Sequence, residues 1–169
     1  EVTQVYDNVR LVGAESDFAT LHKVYGWMVN GVQFTPQDGL PRMIPLIEFD
    51  NWDKNIFRVV NQFTVEYTNN GQKENRRPDV LLFVNGMPLC VIELKNPADA
   101  NATIYDAWEQ INIRYWRDIP HLLHYCPLAC ISDGVKTRLG TVRTPYEHFY
   151  AWRRVNEGDV VSTLPFAET

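Results

Sequence analysis

The chain has 169 residues and a formal net charge of −5, with 21 Asp and Glu against 16 Lys and Arg, and 45% of it is hydrophobic. That supports one domain with a real core, residues 1–169, and nothing marks a second one. The acidic balance argues against a generic charge-driven nucleic-acid binder; with no membrane-length apolar run and no basic stretch followed by an apolar core, the expectation is a cytoplasmic protein with neither anchor nor secretion signal.

In chain order, Glu1 to Val12 reads as a strand, and Ser16 to His22 as a short helix with Ser16 or Asp17 as N-cap. Trp27 to Phe34 is β-like, Thr35 to Pro41 a loop, and Met43 to Phe49 an apolar strand followed by a polar turn at 50–55. Phe57 to Tyr67 alternates in part and reads as one strand, and Thr68 to Asn75 as an exposed turn. After the stretch 76–95, Asn101 to Arg117 is the clearest helix, capped by Asn101 and stopped by Ile119-Pro120. Ile104, Trp108, Ile111 and Tyr115 fall at helical spacing and should pack on a sheet, with Gln110, Arg114 and Arg117 on an adjacent polar face. Leu128 to Ser132 and Thr137 to Val142 are strands around an Asp133-Gly134 turn, and His148 to Val155 is a short helix or strand. Cys90, Cys126 and Cys130 have no partners at zinc spacing and read as small buried apolar residues; the four histidines likewise form no ligand set.

The most informative stretch runs from Arg76-Arg77-Pro78-Asp79 to Glu93-Leu94-Lys95. Between them lie two apolar runs, 80–84 and 89–92, separated by the turn signal Asn85-Gly86-Met87-Pro88. Runs apolar at every position predict a hairpin covered on both faces, which makes the charges at its ends costly unless paired or metal-bound. Glu93 and Lys95, two apart, share a strand face. A tight Asn85-Gly86 turn pairing Val84 with Met87 puts Asp79 on the other face. Pairing Phe83 with Leu89, with Val84 to Pro88 as the loop, puts Asp79 across from Glu93, as does a bulge of the same parity. Pro88 cannot donate to a ladder, which favours the longer loop. In that register two carboxylates can hold a hard cation such as Mg²⁺, and the ammonium can orient water or stabilise phosphoryl charge, an arrangement that suits phosphodiester hydrolysis. Arg76 and Arg77 read equally as contacts to DNA phosphates beside the metal and as a solvated arginine pair near a sheet edge.

Pro78-Asp79, thirteen residues, then Glu93-Leu94-Lys95 resembles the PD-(D/E)xK nuclease pattern. The flanking text (Asn61-Gln62-Phe63, Arg76 to Val80, Phe83 to Leu89, Val91 to Pro97, Ile119-Pro120, Ile131 to Gly134, Arg138 to Thr141) resembles the N-terminal nuclease domain of the restriction subunit of type I restriction enzymes over about residues 45–155. The resemblance implies an α/β, restriction-endonuclease-like core with a central mixed sheet flanked by helices. It implies a type I site-specific deoxyribonuclease, with Asp79, Glu93 and Lys95 catalytic, Asp79, Glu93 and the Leu94 carbonyl as metal ligands, and Mg²⁺, with Mn²⁺ as substitute, as cofactor.

Its partners would be double-stranded DNA, the methylation and specificity subunits, and a downstream helicase-like motor that uses ATP, whose phosphate-binding loop this chain lacks. Such domains usually add an upstream helical segment and acidic ligand, not recognisable here; starting at Glu1 without methionine, the chain reads as an excised piece. The family's helix carries Gln-x-x-x-Tyr near the site. Here Gln110 matches, but Arg114 stands four residues on and Tyr115 one place late, so that either Arg114 takes a phosphate-facing role or Tyr115 is plain core, the default reading. The competing readings are a catalytically silent docking or DNA-binding module of the same fold, and a different nuclease of the same pattern.

Overall fold

The computed structural model describes residues 16–36, 39–99 and 102–152, together with Val5, Asp7, Val9 and Arg10. Those four are helical, against the strand expected over Glu1–Val12; the rest of that segment, Asn101 and residues 153–155 lie outside the described residues. The fold is α/β, built on a six-stranded mixed sheet. Its strands are β3 (Phe57–Asn61), β6 (Val80–Val84), β7 (Met87–Leu94), β8 (Leu128–Ser132), β9 (Thr137–Thr141) and β10 (Tyr150–Ala151), laid side by side in the order β10-β9-β8-β7-β6-β3. Two short hairpins stand apart: β1 (Val32–Phe34) with β2 (Arg42–Ile44), and β4 (Val65–Asn69) with β5 (Gln72–Arg76). Among the described residues no helix is long and apolar enough to cross a membrane.

The N-terminal helix α1 spans Asp17–Asn30, capped by Ser16, whose hydroxyl accepts the Ala19 N–H. It therefore runs through Trp27 to Asn30, where the sequence reads as β. Val24 and Met28, one helical turn apart, pack on Ile47 and Val84, and this burial outweighs local propensity. Gly31 ends the helix at φ 85, and a Cβ there would run into the Ile44 carbonyl. The strand expected over Met43–Phe49 shrinks to β2, and the run expected over Phe57–Tyr67 breaks at Gln62 into β3 and β4. The expected turn over Thr68–Asn75 is mostly β5, which closes on β4 through an Asn70-Gly71 turn with both residues at positive φ.

The central hairpin settles its register by a bulge, the second of the two expected devices. The turn is tight, with Asn85 and Gly86 at φ 51 and 86 and Val84 opposite Met87, not the five-residue loop. Pro88 sits opposite Phe83, Cys90 opposite Leu82, and Leu89 is the extra residue of a β-bulge. Beyond it Val80 pairs with Ile92, which places Asp79 across from Glu93. Asn85 locks the turn: its amide donates to the Leu46 carbonyl and Asn55 Oδ1, and its Oδ1 accepts the Ile56 N–H.

Within the six-stranded sheet only β7 and β8 are parallel neighbours, so the chain between them crosses over one sheet face. This crossover begins at Thr103, which with Asp106 forms a reciprocal capping box, and continues through α2 (Ile104–Glu109), a π-helical turn (Gln110–Tyr115), α3 (Trp116–Asp118) and α4 (Pro120–Leu123). Ile104, Ala107, Ile111 and Tyr115 meet Leu81, Val91, Ala129 and Ile131 in the main core, as the helical spacing predicts. Trp108 and Trp116 donate their indole N–H groups to the carbonyls of Thr144 and Val142, fastening the crossover to the chain after β9. All three cysteines are buried and free.

Candidate functional site

The site lies at the ends of β6 and β7 that are far from their turn. Asp79 precedes β6 with Pro78 buried behind it, and its carboxylate Oδ2 accepts the Leu94 N–H at 2.9 Å. Glu93 is a β7 residue that is 1% exposed, on the sheet face covered by the crossover. Lys95 comes next as β7 ends; its backbone N–H donates to the Ser132 carbonyl at 2.8 Å, extending the β7–β8 ladder by one rung. Its ammonium lies 3.5 Å from Glu93 Oε1. The bulge thus brings the three charged residues to one place.

Around Glu93 the polar groups form a closed set. Gln110 turns its amide oxygen to the Lys95 ammonium at 2.7 Å, and its amide nitrogen donates to Glu93 Oε1 and to the Tyr115 hydroxyl, the latter at 2.8 Å. Tyr115 in turn donates to Glu93 Oε2 at 3.0 Å. Tyr115 is therefore both core, at 1% exposure, and a member of the polar cluster. The π-helical turn is the cause. In an uninterrupted α-helix residues five apart diverge by about 140°, whereas one residue inserted as a π-turn returns the fifth residue to the place of the fourth. The displaced tyrosine in the sequence was the signal of that insertion.

Electrostatics reflect the geometry. Burial first, then the Asp79 charge, push the Glu93 carboxyl up to about 7, against the Lys95 ammonium and the Tyr115 hydrogen bond. Burial, then the Glu93 charge, hold the Tyr115 hydroxyl above its ordinary range, so it stays a donor at neutral pH. Two carboxylates whose charges oppose each other make a donor set suited to a hard cation, which takes oxygen ligands and keeps several waters. Among the described residues Tyr115 is the one hydrogen-bond donor on Glu93 Oε2, which leaves this oxygen lone-pair capacity. Among the described residues no group of three His, Cys, Asp or Glu comes together at metal-binding spacing.

The arginines separate. Arg76 is held by Asp118, with Nε at 2.7 Å and the second nitrogen at 2.6 Å, and lies over the Tyr67 ring. It clamps the β4–β5 hairpin to α3. Arg77 is exposed, as is Arg114, which pairs loosely with Glu109 at 3.8 Å and stands outside the Glu93 cluster.

The family described as type I restriction enzyme R protein N terminus matches residues 6–148. The chain is 36% identical over 124 residues to the HindI type I restriction enzyme endonuclease subunit of Haemophilus influenzae, covering 73% of this chain and 11% of that protein. Over 153 residues it is 35% identical to a Methanocaldococcus jannaschii protein provisionally named type I restriction enzyme MjaIXP endonuclease subunit, covering 88% of this chain and 14% of that protein. The chain thus spans a small part of the length of these relatives.

Proposed function

Since the chain belongs to the family of type I restriction enzyme R protein N-terminal regions, we propose that it is a cation-dependent nuclease domain of restriction-endonuclease-like fold that cuts double-stranded DNA. The observation that supports this most is the convergence of Asp79, Glu93 and Lys95 through the Leu89 bulge. Asp79 and Glu93, with the Leu94 carbonyl as a further oxygen, hold Mg²⁺ or Mn²⁺. When bound, the cation supplies charge that stabilises phosphoryl oxygens and acidifies water.

The chain's own groups do the rest. Lys95 carries three N–H donors; Gln110 and Glu93 take two, leaving one for the attacking water or the scissile phosphate. Gln110 fixes the ammonium, and Tyr115 orients Glu93. Arg77 and Arg114, both exposed, serve as phosphate contacts, whereas Arg76 keeps its structural pairing. In the whole subunit this domain works with an ATP-driven motor and with the methylation and specificity subunits, which supply most of the DNA affinity that a net charge of −5 does not.

The test uses the assembled enzyme. Lys95→Ala should abolish cleavage while ATP hydrolysis and translocation persist and Mg²⁺ affinity is nearly unchanged. Asp79→Ala should lose both cleavage and Mg²⁺ binding by calorimetry. Wild-type cleavage by Lys95→Ala, or wild-type Mg²⁺ affinity in an Asp79→Ala/Glu93→Ala double variant, would overturn the reading.

A further inference from the structure

Three non-glycine residues among those described have positive φ: Gln62 at 52, Asn70 at 49 and Asn85 at 51. The two asparagines begin Asn-Gly hairpin turns, where this conformation is what the turn requires and the side chain tolerates it. Gln62 has neither excuse. It is followed by Phe63, sits in no tight hairpin, and comes directly after β3 pairs Asn61 with Val80. Its backbone N–H donates to the Asp79 carbonyl at 2.7 Å, one rung beyond the ladder. Past this left-handed residue the chain turns so that the Phe63 ring packs edge-on against Phe83 of β6, with centroids 5.9 Å apart.

Asp79 is thus gripped twice by main chain: its carbonyl by Gln62 on β3's side, its carboxylate by Leu94 on β7's side. Pro78 before it has no N–H to contribute and is buried. A residue held in a sparsely populated conformation beside a site persists because its surroundings fix it there, and the strain is a sign of use. We propose that Gln62 is a positioning residue: its left-handed backbone turns the chain away from β6 directly after its N–H has met the Asp79 carbonyl, closing the ladder there, and so sets where the Asp79 carboxylate stands across from Glu93. This rests on the proposed nuclease reading. The Gln62 side chain is exposed and plays no part in it.

The experiment compares Gln62→Gly, Gln62→Asn and Gln62→Ala with Gln62→Val and Gln62→Thr in the full assembled enzyme. Gly and Asn accept positive φ, Ala deletes the amide while keeping the backbone preference of Gln, and the β-branched residues oppose that φ. Two readouts are taken: hydrogen exchange of the Leu94 amide, which reports the hold on Asp79 without activity, and the Mg²⁺ concentration for half-maximal cleavage. The valine variant should exchange Leu94 and require Mg²⁺ at levels roughly tenfold above wild type, with cleavage recovering at saturating Mg²⁺; threonine gives the same sign should valine not fold. Gly, Asn and Ala should stay within about twofold of wild type. Loss in Ala equal to that in Val would assign the role to the amide side chain and overturn the proposal, as would β-branched variants indistinguishable from wild type. A wild type that needs no divalent cation would overturn the nuclease reading alone, since Leu94 exchange still reports the grip on Asp79.

Discussion

Gln110 and Tyr115 stand five residues apart and still share a hydrogen bond of 2.8 Å, because the helix between them is π-helical. Tyr115→Phe keeps the buried ring but leaves Glu93 Oε2 without its donor. Cleavage should fall on the order of 10- to 100-fold, as for other groups that orient a ligand, while folding stability drops by about 1–2 kcal/mol. Deleting the half-exposed Ile113 makes the spacing four and the helix uninterrupted; that variant should fold and cut. A phenylalanine variant that cuts at the full rate would leave Tyr115 as core alone.

The buried Glu93 carboxyl gives a pH signature. Its pKa is about 7 in the folded chain against 4.5 ordinarily, so the folded state binds the proton more tightly. Its contribution to stability is therefore complete below about 4.5 and is lost as pH rises through about 7, on the order of 3 kcal/mol in all without metal. Denaturant melts of metal-free wild type and Glu93→Gln should diverge over that window, with the glutamine variant flatter. Parallel curves would contradict the burial of an ionisable group here.

Adjacent arginines should behave differently. Arg76→Ala removes a partner from Asp118, whose carboxyl Arg117, then Arg76, hold below its ordinary range despite burial. It should cost about 1–2 kcal/mol of stability. Arg77→Ala should leave stability within about 0.5 kcal/mol and instead weaken DNA binding by the assembled enzyme, reducing the salt slope by about 1. Equal effects of the two on melting would remove the distinction.

Gly140 lies inside β9 under the Phe149 ring, and an added Cβ would stand 2.9 Å from two ring carbons. Phe149 is 2% exposed and cannot retreat. Gly140→Ala should therefore cost about 1–3 kcal/mol of overpacking, partly restored by Phe149→Leu in a double-mutant cycle read by thermal melting.

Legibility in the residues depended on whether local pattern and tertiary contacts agreed. The apolar runs of β6, β7 and β8 named the buried sheet, and the face shared by Glu93 and Lys95 came from strand alternation. The parity of Asp79 was legible too, but not which of two devices sets it: Pro88 argued for a long loop, and the alternative, a bulge, is what Leu89 provides. Trp27 and Val29 favour β, and only the packing of Val24 and Met28 on Val84 reveals a helix. The β4–β5 hairpin carries little apolar alternation, so its one local signal was Asn70-Gly71. Thr103, not Asn101, caps α2, a choice made by Asp106 three residues on.

The Leu89 bulge and the π-turn are the same kind of event, one residue more than a regular element needs, in a strand and in a helix. Each shifts the phase of the residues downstream by a single position, and together they bring Asp79 and Tyr115 to Glu93. A comparison of this chain with relatives lacking either insertion must open a gap at 89 and another within 111–114. In an uninterrupted helix the place beside Glu93 would fall to Arg114; the extra residue of the π-turn gives it to Tyr115 and leaves Arg114 outside.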